Sequence, residues 1–301
     1  MYSRAGVVCY RTPVTLAIEL AAGGLRFSAE SAGRGPLVLC LHGFPDHSAS
    51  FRHQLPALAA AGFRAVAPMM RGYQPASQPP DGDYSVAALA EDVVGWLDAL
   101  GEQRCHLIGH DWGAVTAYAA AALAPERFLS VTTMAVPPIR RFARGLLRYP
   151  GQLLSSWYML FFQLPIAERA VARRDFAFLE RLWRAWSPGW QWPAVDMAAL
   201  KRVFAAPGVT AAALGYYRAL RGRGARARRT RELLQARTPV RTLALTGALD
   251  GCMDTRLYDV VCDARDFPAG LRVERVAGAG HFLHQERPEL VNPLLLEWVS
   301  Q

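Results

Sequence analysis

The sequence predicts an α/β fold, a mostly parallel, doubly wound sheet with a helical cap inserted between two of its strands. Short apolar runs alternate with helical segments over the first 138 residues, which is the pattern of parallel sheets. From 139 to 237 no strand pattern appears, and sheet periodicity returns at residues 240–245 and 271–276. We therefore predict a core made of residues 1–138 and 238–301, with a cap over 139–237.

The first core segment alternates strands and helices in order. Three helical segments are predicted, at 51–61, from Ser85 to Leu100, and at 112–123, where Ser85 is a good N-cap and Pro125 ends the last helix. The predicted strands are residues 16–19 and 25–29, which form a hairpin across Ala-Ala-Gly-Gly, followed by 37–41, 64–67, 105–108 and 129–134. Ligands of open α/β sheets bind beyond the carboxyl ends of the strands, so the predicted cap would cover a site there.

Length and charge limit the function classes. A chain of 301 residues can hold one large α/β domain with an insert. The net charge is +9, and much of the excess lies in the Arg-rich stretch 221–231. That stretch has no interleaved aromatic residues for base stacking, and the chain shows no nucleic-acid-binding motif. We predict a solvated loop or helix face there and no nucleic-acid partner.

Cysteine usage and hydropathy indicate a cytoplasmic protein. The five cysteines have no C-x-x-C spacing, which predicts neither a disulfide framework nor a zinc site: Cys9, Cys40, Cys105, Cys252 and Cys262. No signal-peptide pattern and no apolar run near twenty residues is present, so no membrane partner is expected. High Ala and Arg content with a single Lys suggests a bacterial source. A monomer or a homodimer is expected.

Residues 109–113, Gly-His-Asp-Trp-Gly, have the pattern of a nucleophile elbow, a sharp turn from a strand into a helix. Asp111 occupies the nucleophile position, which is more often serine. Serine attacking an sp³ carbon would give an ether that water cannot cleave, whereas a carboxylate gives an ester that water can hydrolyse. Aspartate is also favoured at helix N-termini for structural reasons. As a nucleophile, Asp111 indicates epoxide opening or displacement of a halide from carbon.

Two further residues complete a predicted triad. Asp250 follows the strand at 240–245, and His281 follows the final strand, so the chain order is nucleophile, acid, histidine. His281 would deprotonate the water that hydrolyses the ester, and Asp250 would orient the imidazole. Asp254 is the competing acid and lies further into its loop. Three other histidines are interpreted as packed or hydrogen-bonded residues: His42, His110 and His284.

Together with His42-Gly43-Phe44-Pro45, these motifs resemble the α/β-hydrolase-fold epoxide hydrolases over residues 14–299. The resemblance implies that the backbone N–H groups of Phe44 and Trp112 form an oxyanion hole. It implies no metal and no organic cofactor, and a small apolar epoxide as substrate. The sequence departs from the family pattern at Met69, where Asp is usual, and at Gln74, where Gly is usual; the conformation of that loop is therefore in question.

Two tyrosines in the predicted cap carry the ring-opening role that the resemblance implies. Segments 157–165 and 215–219 match those that supply the family's tyrosines, which identifies Tyr158 and Tyr217 as the pair. A phenol with a pKa of about 10 can donate a proton to the leaving oxygen while staying neutral at pH 7. The other interpretation is that both rings pack an aromatic lid, and Tyr216 is the residue most easily confused with Tyr217.

Two alternative functions stay open at this point. A haloalkane dehalogenase would share the Asp nucleophile and would hold its halide with N–H donors. Trp112 could serve as one donor, while Phe44 stands where a donating Asn is common. A binding protein on the same fold is a further alternative, although the Asp111, Asp250 and His281 set argues against loss of turnover.

Overall fold

The computed structural model describes residues 15–301, so Cys9 and the start of the predicted core segment lie outside the described part. The eight strands are β1 Leu16–Ala22, β2 Leu25–Ala32, β3 Leu37–Leu41, β4 Arg64–Pro68, β5 Cys105–His110, β6 Phe128–Met134, β7 Thr242–Gly247 and β8 Leu271–Val276. They form one sheet in the order β1-β2-β4-β3-β5-β6-β7-β8. The pairings β1–β2 and β2–β4 are antiparallel, and all others are parallel.

Thirteen α-helices lie in the described part of the chain. They are α1 Gln54–Ala60, α2 Val86–Ala99, α3 Trp112–Leu123, α4 Phe142–Arg148, α5 Gly151–Ser155, α6 Trp157–Phe161, α7 Ala167–Trp186, α8 Ala194–Ala205, α9 Val209–Ala219, α10 Gly224–Gln235, α11 Tyr258–Val261, α12 Leu283–Glu286 and α13 Pro288–Val299. Helix α7 is interrupted by non-helical dihedrals at residues 173–176. Seven of these helices, α4 to α10, lie between β6 and β7.

Helices cover both faces of the sheet, which confirms the predicted fold class. Helices α2 and α3 pack on one face and α1 and α13 on the other, each over its own apolar cluster. Strand β3 is buried along its whole length, as expected for a central parallel strand. The helical segment between β6 and β7 starts with a 3₁₀ turn at Ile139–Arg141. The exact cap limits, 139 and 237, stay a prediction.

Some predicted limits differ from the structure. The N-terminal hairpin is longer than predicted, because only Gly23 and Gly24 form its turn, with φ of +54° and +75°. Ala21 and Ala22 therefore extend β1, although the sequence placed them in the loop. Phe51 belongs to a 3₁₀ turn, Ser48–Phe51, and α1 begins only at Gln54. Helix α13 was not predicted.

Within residues 15–301, no single helix is both long and apolar enough to cross a bilayer. Helices α8 and α9 reach that length and composition only as a pair, and they are bent by 82° relative to each other.

Candidate active site

Asp111 lies in a sharp turn between β5 and α3. Its backbone has φ of 51° and ψ of −115°, a conformation that is strained for a residue with a Cβ. The glycines on either side allow the close approach. A Cβ on Gly109 would lie 2.1 Å from the carbonyl oxygen of Gly113, and one on Gly113 would lie 2.0 Å from that of Leu41. The glycine pattern read from the sequence thus corresponds to a steric requirement of this turn.

The loop after β3 approaches the Asp111 carboxylate from the other side. The backbone N–H of Phe44 donates to Oδ1 of Asp111 at 2.7 Å. A Cβ on Gly43 would lie 2.4 Å from the same oxygen, so only glycine leaves room for it. Trp112 is the first residue of α3, and its N–H therefore belongs to the helix amides that have no partner within the helix. The Phe44 amide predicted for the oxyanion hole thus binds the Asp111 carboxylate, and the Trp112 amide follows Asp111 directly in the chain.

His281 and Asp250 meet Asp111 at the carboxyl edge of the sheet. Nδ1 of His281 lies 3.0 Å from Oδ2 of Asp250, and its Nε2 lies 3.6 Å from Oδ2 of Asp111. Oδ1 of Asp250 accepts hydrogen bonds from the backbone N–H groups of Cys252 and Met253, at 2.8 and 2.9 Å. These bonds hold the carboxylate against the imidazole.

Asp254, the competing acid, is oriented differently. It caps the 3₁₀ turn Thr255–Leu257 and pairs with the exposed Arg256 guanidinium at 2.7 Å. The carboxylate of Asp254 is therefore engaged in an ion pair at the surface, whereas the carboxylate of Asp250 faces His281.

The charge state of His281 depends on the two carboxylates. Burial by itself lowers the pKa of His281, but the charges of Asp250 and Asp111 and their hydrogen bonds outweigh burial and raise it to about 10. The two carboxylates that face the imidazole thus favour its protonated form. A change in the charge of Asp111 would therefore change the protonation of His281.

A cavity of about 190 Å³ opens over Asp111. Its wall is mainly apolar, and the side chains of Val115, Met159 and Leu234 contribute to it. Tyr158 and Tyr217 also line it, with their ring centroids 5.8 Å apart. The apolar wall suits an apolar ligand.

The two tyrosine hydroxyl groups differ in their present contacts. The hydroxyl of Tyr158 lies 3.3 Å from Sγ of Cys252, a weak partner. The buried hydroxyl of Tyr217 makes no hydrogen bond of good geometry within residues 15–301, and the indole N–H of Trp112 is the donor beside it. Burial raises the pKa of both phenols well above 10, so both are neutral donors at pH 7.

Tyr216 points away from this cavity. Its hydroxyl donates to the carbonyl oxygen of Arg71 at 2.6 Å, and its ring stacks on Tyr84. Adjacent residues on a helix face directions about 100° apart, so only one of Tyr216 and Tyr217 can face Asp111.

The three remaining histidines named from the sequence are buried. His42 accepts a hydrogen bond from the N–H of Met70 at 2.9 Å, and Nε2 of His110 lies 2.9 Å from the carbonyl oxygen of His281. Burial lowers the pKa of His42 and His110 to about 3, and it lowers the pKa of His284 well below the usual value. All three are neutral at pH 7.

His110 and His284 lie close to a buried carboxylate, Asp46. One potential ligand atom from each of the three side chains lies within 4.8 Å of the others, a spacing that would suit a small cation. Both carboxylate oxygens of Asp46 already accept hydrogen bonds, from the N–H of His47 and the side-chain amide of Gln285.

The departures at Met69 and Gln74 leave the neighbouring loop well anchored. The side-chain carbonyl of Gln74 accepts from the N–H of Ser28 at 3.1 Å, and its amide donates to the carbonyl oxygen of Arg26 at 3.2 Å. Met69 packs against the main apolar cluster and donates its N–H to Ser28. The loop after β4 is thus held by β2.

Two supporting contacts were not predicted from the sequence. The carbonyl oxygen of Trp186, at the end of α7, accepts from the N–H of His281 at 3.1 Å and from that of Gly251 at 3.0 Å. Glu286 accepts from the hydroxyl of Ser187 and from the N–H of Gly280. The cap helix α7 thereby holds both the acid loop and the histidine loop. A backbone carbonyl leaves no trace in residue type, so no sequence signal could reveal the first contact.

Comparison with known proteins agrees with this geometry. The family model described as alpha/beta hydrolase fold matches residues 36–288. Human epoxide hydrolase 4 is 31% identical over 98% of this chain and 80% of its own length. Epoxide hydrolase A of Mycobacterium tuberculosis is 30% identical, covering 92% of this chain and 95% of its own. The crystal structure of the Bacillus megaterium epoxide hydrolase is similar with a TM-score of 0.81 at 26% identity, over 94% of this chain and all of the other.

Proposed function

The chain belongs to the α/β-hydrolase-fold family, and on that premise we propose that it hydrolyses an apolar epoxide to a vicinal diol through an ester on Asp111. The observation that carries the proposal is the placement of two phenol hydroxyl groups in the cavity that opens over the Asp111 carboxylate. The similarity to epoxide hydrolases along nearly the whole chain supports the same reaction class.

In the first step, an oxygen of Asp111 attacks one epoxide carbon, and the bond from that carbon to the ring oxygen breaks. The attack needs a free carboxylate oxygen. Oδ1 is held by the N–H of Phe44, while Oδ2 lies on the side of His281. The ring oxygen becomes an alkoxide, which takes a proton from Tyr158 or Tyr217. Their neutral phenols suit this role because no group in the described chain accepts the proton of the Tyr217 hydroxyl, and the indole N–H of Trp112 beside it can only donate.

In the second step, His281 takes a proton from water, and the resulting hydroxide attacks the ester carbonyl. The negative charge that develops on the carbonyl oxygen is stabilised by the N–H groups of Phe44 and Trp112. A donor of this kind typically contributes about 3–4 kcal/mol. The bond between the acyl carbon and the diol oxygen then breaks, and the departing oxygen takes the proton that the added hydroxide carried. The diol is released, and Asp111 is restored as a carboxylate.

Formation of the ester also explains how His281 becomes a base. The free imidazole is protonated because Asp250 and Asp111 together overcome its burial. The ester removes the negative charge of Asp111, so burial and Asp250 alone act on the pKa of His281, which falls. The proton that His281 loses replaces the one that the tyrosine gave to the substrate oxygen, so the protons balance over one turnover.

Dehalogenation is less well supported by the same site. A departing halide needs N–H donors, and the residue at the position of the second donor is Phe44, whose side chain cannot donate. The hydroxyl-bearing side chains in the cavity suit an oxygen leaving group, which must be protonated, better than a halide, which need not be.

Isotope labelling tests the covalent ester directly. In a single turnover in ¹⁸O-water, with enzyme in excess over styrene oxide, the new oxygen of the diol should come from the Asp111 carboxylate. The diol should then carry no label, and the peptide that contains Asp111 should gain ¹⁸O. The control is a multiple-turnover reaction in the same water, with styrene oxide in excess over enzyme, whose diol should carry label. Label in the diol of the first turnover would instead indicate direct attack by water, with Asp111 acting as a base.

The pH dependence of the second step tests the proposed change in His281. Because only neutral His281 can accept a proton, the rate of ester hydrolysis should rise with pH and level off above the pKa of His281 in the intermediate. That pKa should lie below the value of about 10 that describes the free site. The measurement is the decay of the intermediate in single turnovers from about pH 5 to about pH 10. A profile that still rises at the alkaline end would contradict the coupling to Asp111.

A further inference from the structure

Helices α5 and α6 turn their most apolar side chains toward solvent. Leu153 and Leu154 on α5, Trp157 and Leu160 on α6, and Leu164 in the turn after α6 are each exposed by 46% or more of their surface. All five lie between residues 153 and 164, so they form one exposed apolar segment of the chain. We call this set the outer face. Leu154 is 79% and Leu160 71% exposed.

The opposite side of the same helices carries polar side chains inward. The amide of Gln152 is buried, donates to the carbonyl oxygen of Cys252 and accepts from the N–H of Asp254. Ser156 and Tyr158 line the cavity over Asp111. This orientation is the reverse of that of an ordinary amphipathic helix on a soluble core. The large apolar side chains of the outer face are therefore in contact with water, and such a group of exposed apolar residues marks an interaction surface.

The charge around the outer face identifies the kind of partner. Between residues 139 and 237 lie nineteen Lys and Arg but five Asp and Glu, although the whole chain has a net charge of only +9. No Asp or Glu occurs from residue 128 to residue 167. Arg144, Arg148 and Arg169, which flank the outer face in the chain, are all exposed. The outer face therefore lies within residues 139–237, the most cationic segment of the chain.

We propose that the outer face docks on an anionic lipid membrane, with the leucines and Trp157 in the interfacial region and the arginines against the headgroups. The sequence predicts no membrane partner because it has no segment that could span a bilayer. Interfacial binding does not need such a segment, since it requires only an apolar face with cationic flanks. A second copy of the chain is a poorer occupant, since two such cationic caps would repel each other.

Docking would place the membrane beside the entrance to the cavity, because the same helices contribute its wall. An apolar substrate concentrates in lipid, so a docked enzyme would meet it at higher local concentration than in water. This last point depends on the proposed function, but the docking itself does not.

The test is co-sedimentation of the full-length protein with vesicles of phosphatidylcholine alone and with about 30% phosphatidylglycerol. The wild type should bind the anionic vesicles, and less so at high salt. The variant Leu154→Gln/Leu160→Gln should lower the bound fraction by on the order of tenfold. Its matched control, Leu16→Gln/Leu290→Gln, replaces two exposed leucines outside the cap, on β1 and α13, and should bind as the wild type does.

A second pair of variants separates charge from apolar contact. Arg144→Gln/Arg148→Gln should weaken binding at low salt by a few-fold, whereas Arg34→Gln/Arg104→Gln, two exposed core arginines, should not. All four variants should keep the circular dichroism spectrum and the thermal unfolding transition of the wild type, which shows that they are folded.

Three results would overturn the proposal. The wild type could stay in the supernatant with anionic vesicles, or Leu154→Gln/Leu160→Gln could bind undiminished. Light scattering could also show a wild-type dimer that this variant dissociates, which would make the outer face a contact between two copies. Because binding is measured without substrate, failure of the epoxide assay leaves the docking result intact.

Discussion

Replacing His281 with Gln should leave the protein alkylated and unable to release product. Asp111 is an anion on its own and needs no base to attack, whereas water needs His281 before it can attack the ester. Loss of a general base slows a step by about 10²- to 10⁴-fold, so the ester should accumulate. Intact mass should increase by one epoxide, and the adduct should lie on the peptide that contains Asp111.

Two controls sharpen this experiment. The double variant Asp111→Asn/His281→Gln should gain no mass, because an amide is a poor nucleophile. His106→Gln changes another buried histidine, which contacts the hydroxyl of Ser130 near the start of β5 and lies away from the site. It should turn over normally. A folded His281→Gln protein that gains no adduct from an epoxide that the wild type hydrolyses would rule out this division of labour.

Removing both cavity phenols should slow the first step instead. In Tyr158→Phe or Tyr217→Phe, the remaining hydroxyl can still donate to the leaving oxygen, so alkylation should slow only in part. In the double variant no donor is left, and alkylation should slow by about 10²-fold or more. Ester hydrolysis should change much less, because the leaving oxygen is already protonated. Stopped-flow tryptophan fluorescence follows alkylation, and rapid quench followed by mass measurement follows the ester.

The matched control is Tyr216→Phe, which deletes a buried hydroxyl one residue away. That hydroxyl holds the carbonyl oxygen of Arg71, so its loss should lower the free energy of unfolding by about 1 kcal/mol and leave alkylation unchanged. Trp112→Phe provides the opposite comparison. In a dehalogenase it would be the severe variant and the tyrosine changes would be mild, so alkylation at the wild-type rate in the double tyrosine variant would refute epoxide opening by this cavity.

The sequence by itself predicted the fold class, which the structure confirms, and it proposed the site residues, which no measurement has yet tested. Alternation of strands and helices is a local pattern, and it predicted the parallel sheet that the structure confirms. The resemblance to epoxide hydrolases rested on short motifs around Gly43, Asp111 and His281, and the comparisons confirm it. Glycine positions could be interpreted because backbone crowding at a sharp turn leaves no other choice. The roles of the site residues stay predictions until the variants above are measured.

The tertiary structure decided how these residues act together. Folding brings Nε2 of His281 to 3.6 Å from Oδ2 of Asp111, a residue 170 positions earlier in the chain. The pKa of His281 rises to about 10 because of the charges of Asp111 and of Asp250, which is 31 positions earlier. The acid loop and the histidine loop are both bound by the backbone carbonyl oxygen of Trp186, a group that any residue would supply. The sequence shows that Leu153, Trp157 and Leu160 are apolar, but not that their side chains point outward. The outward direction of these side chains is set by the contacts on the opposite side of the segment, such as those of Gln152 with Cys252 and Asp254. Only the folded chain brings these residues together.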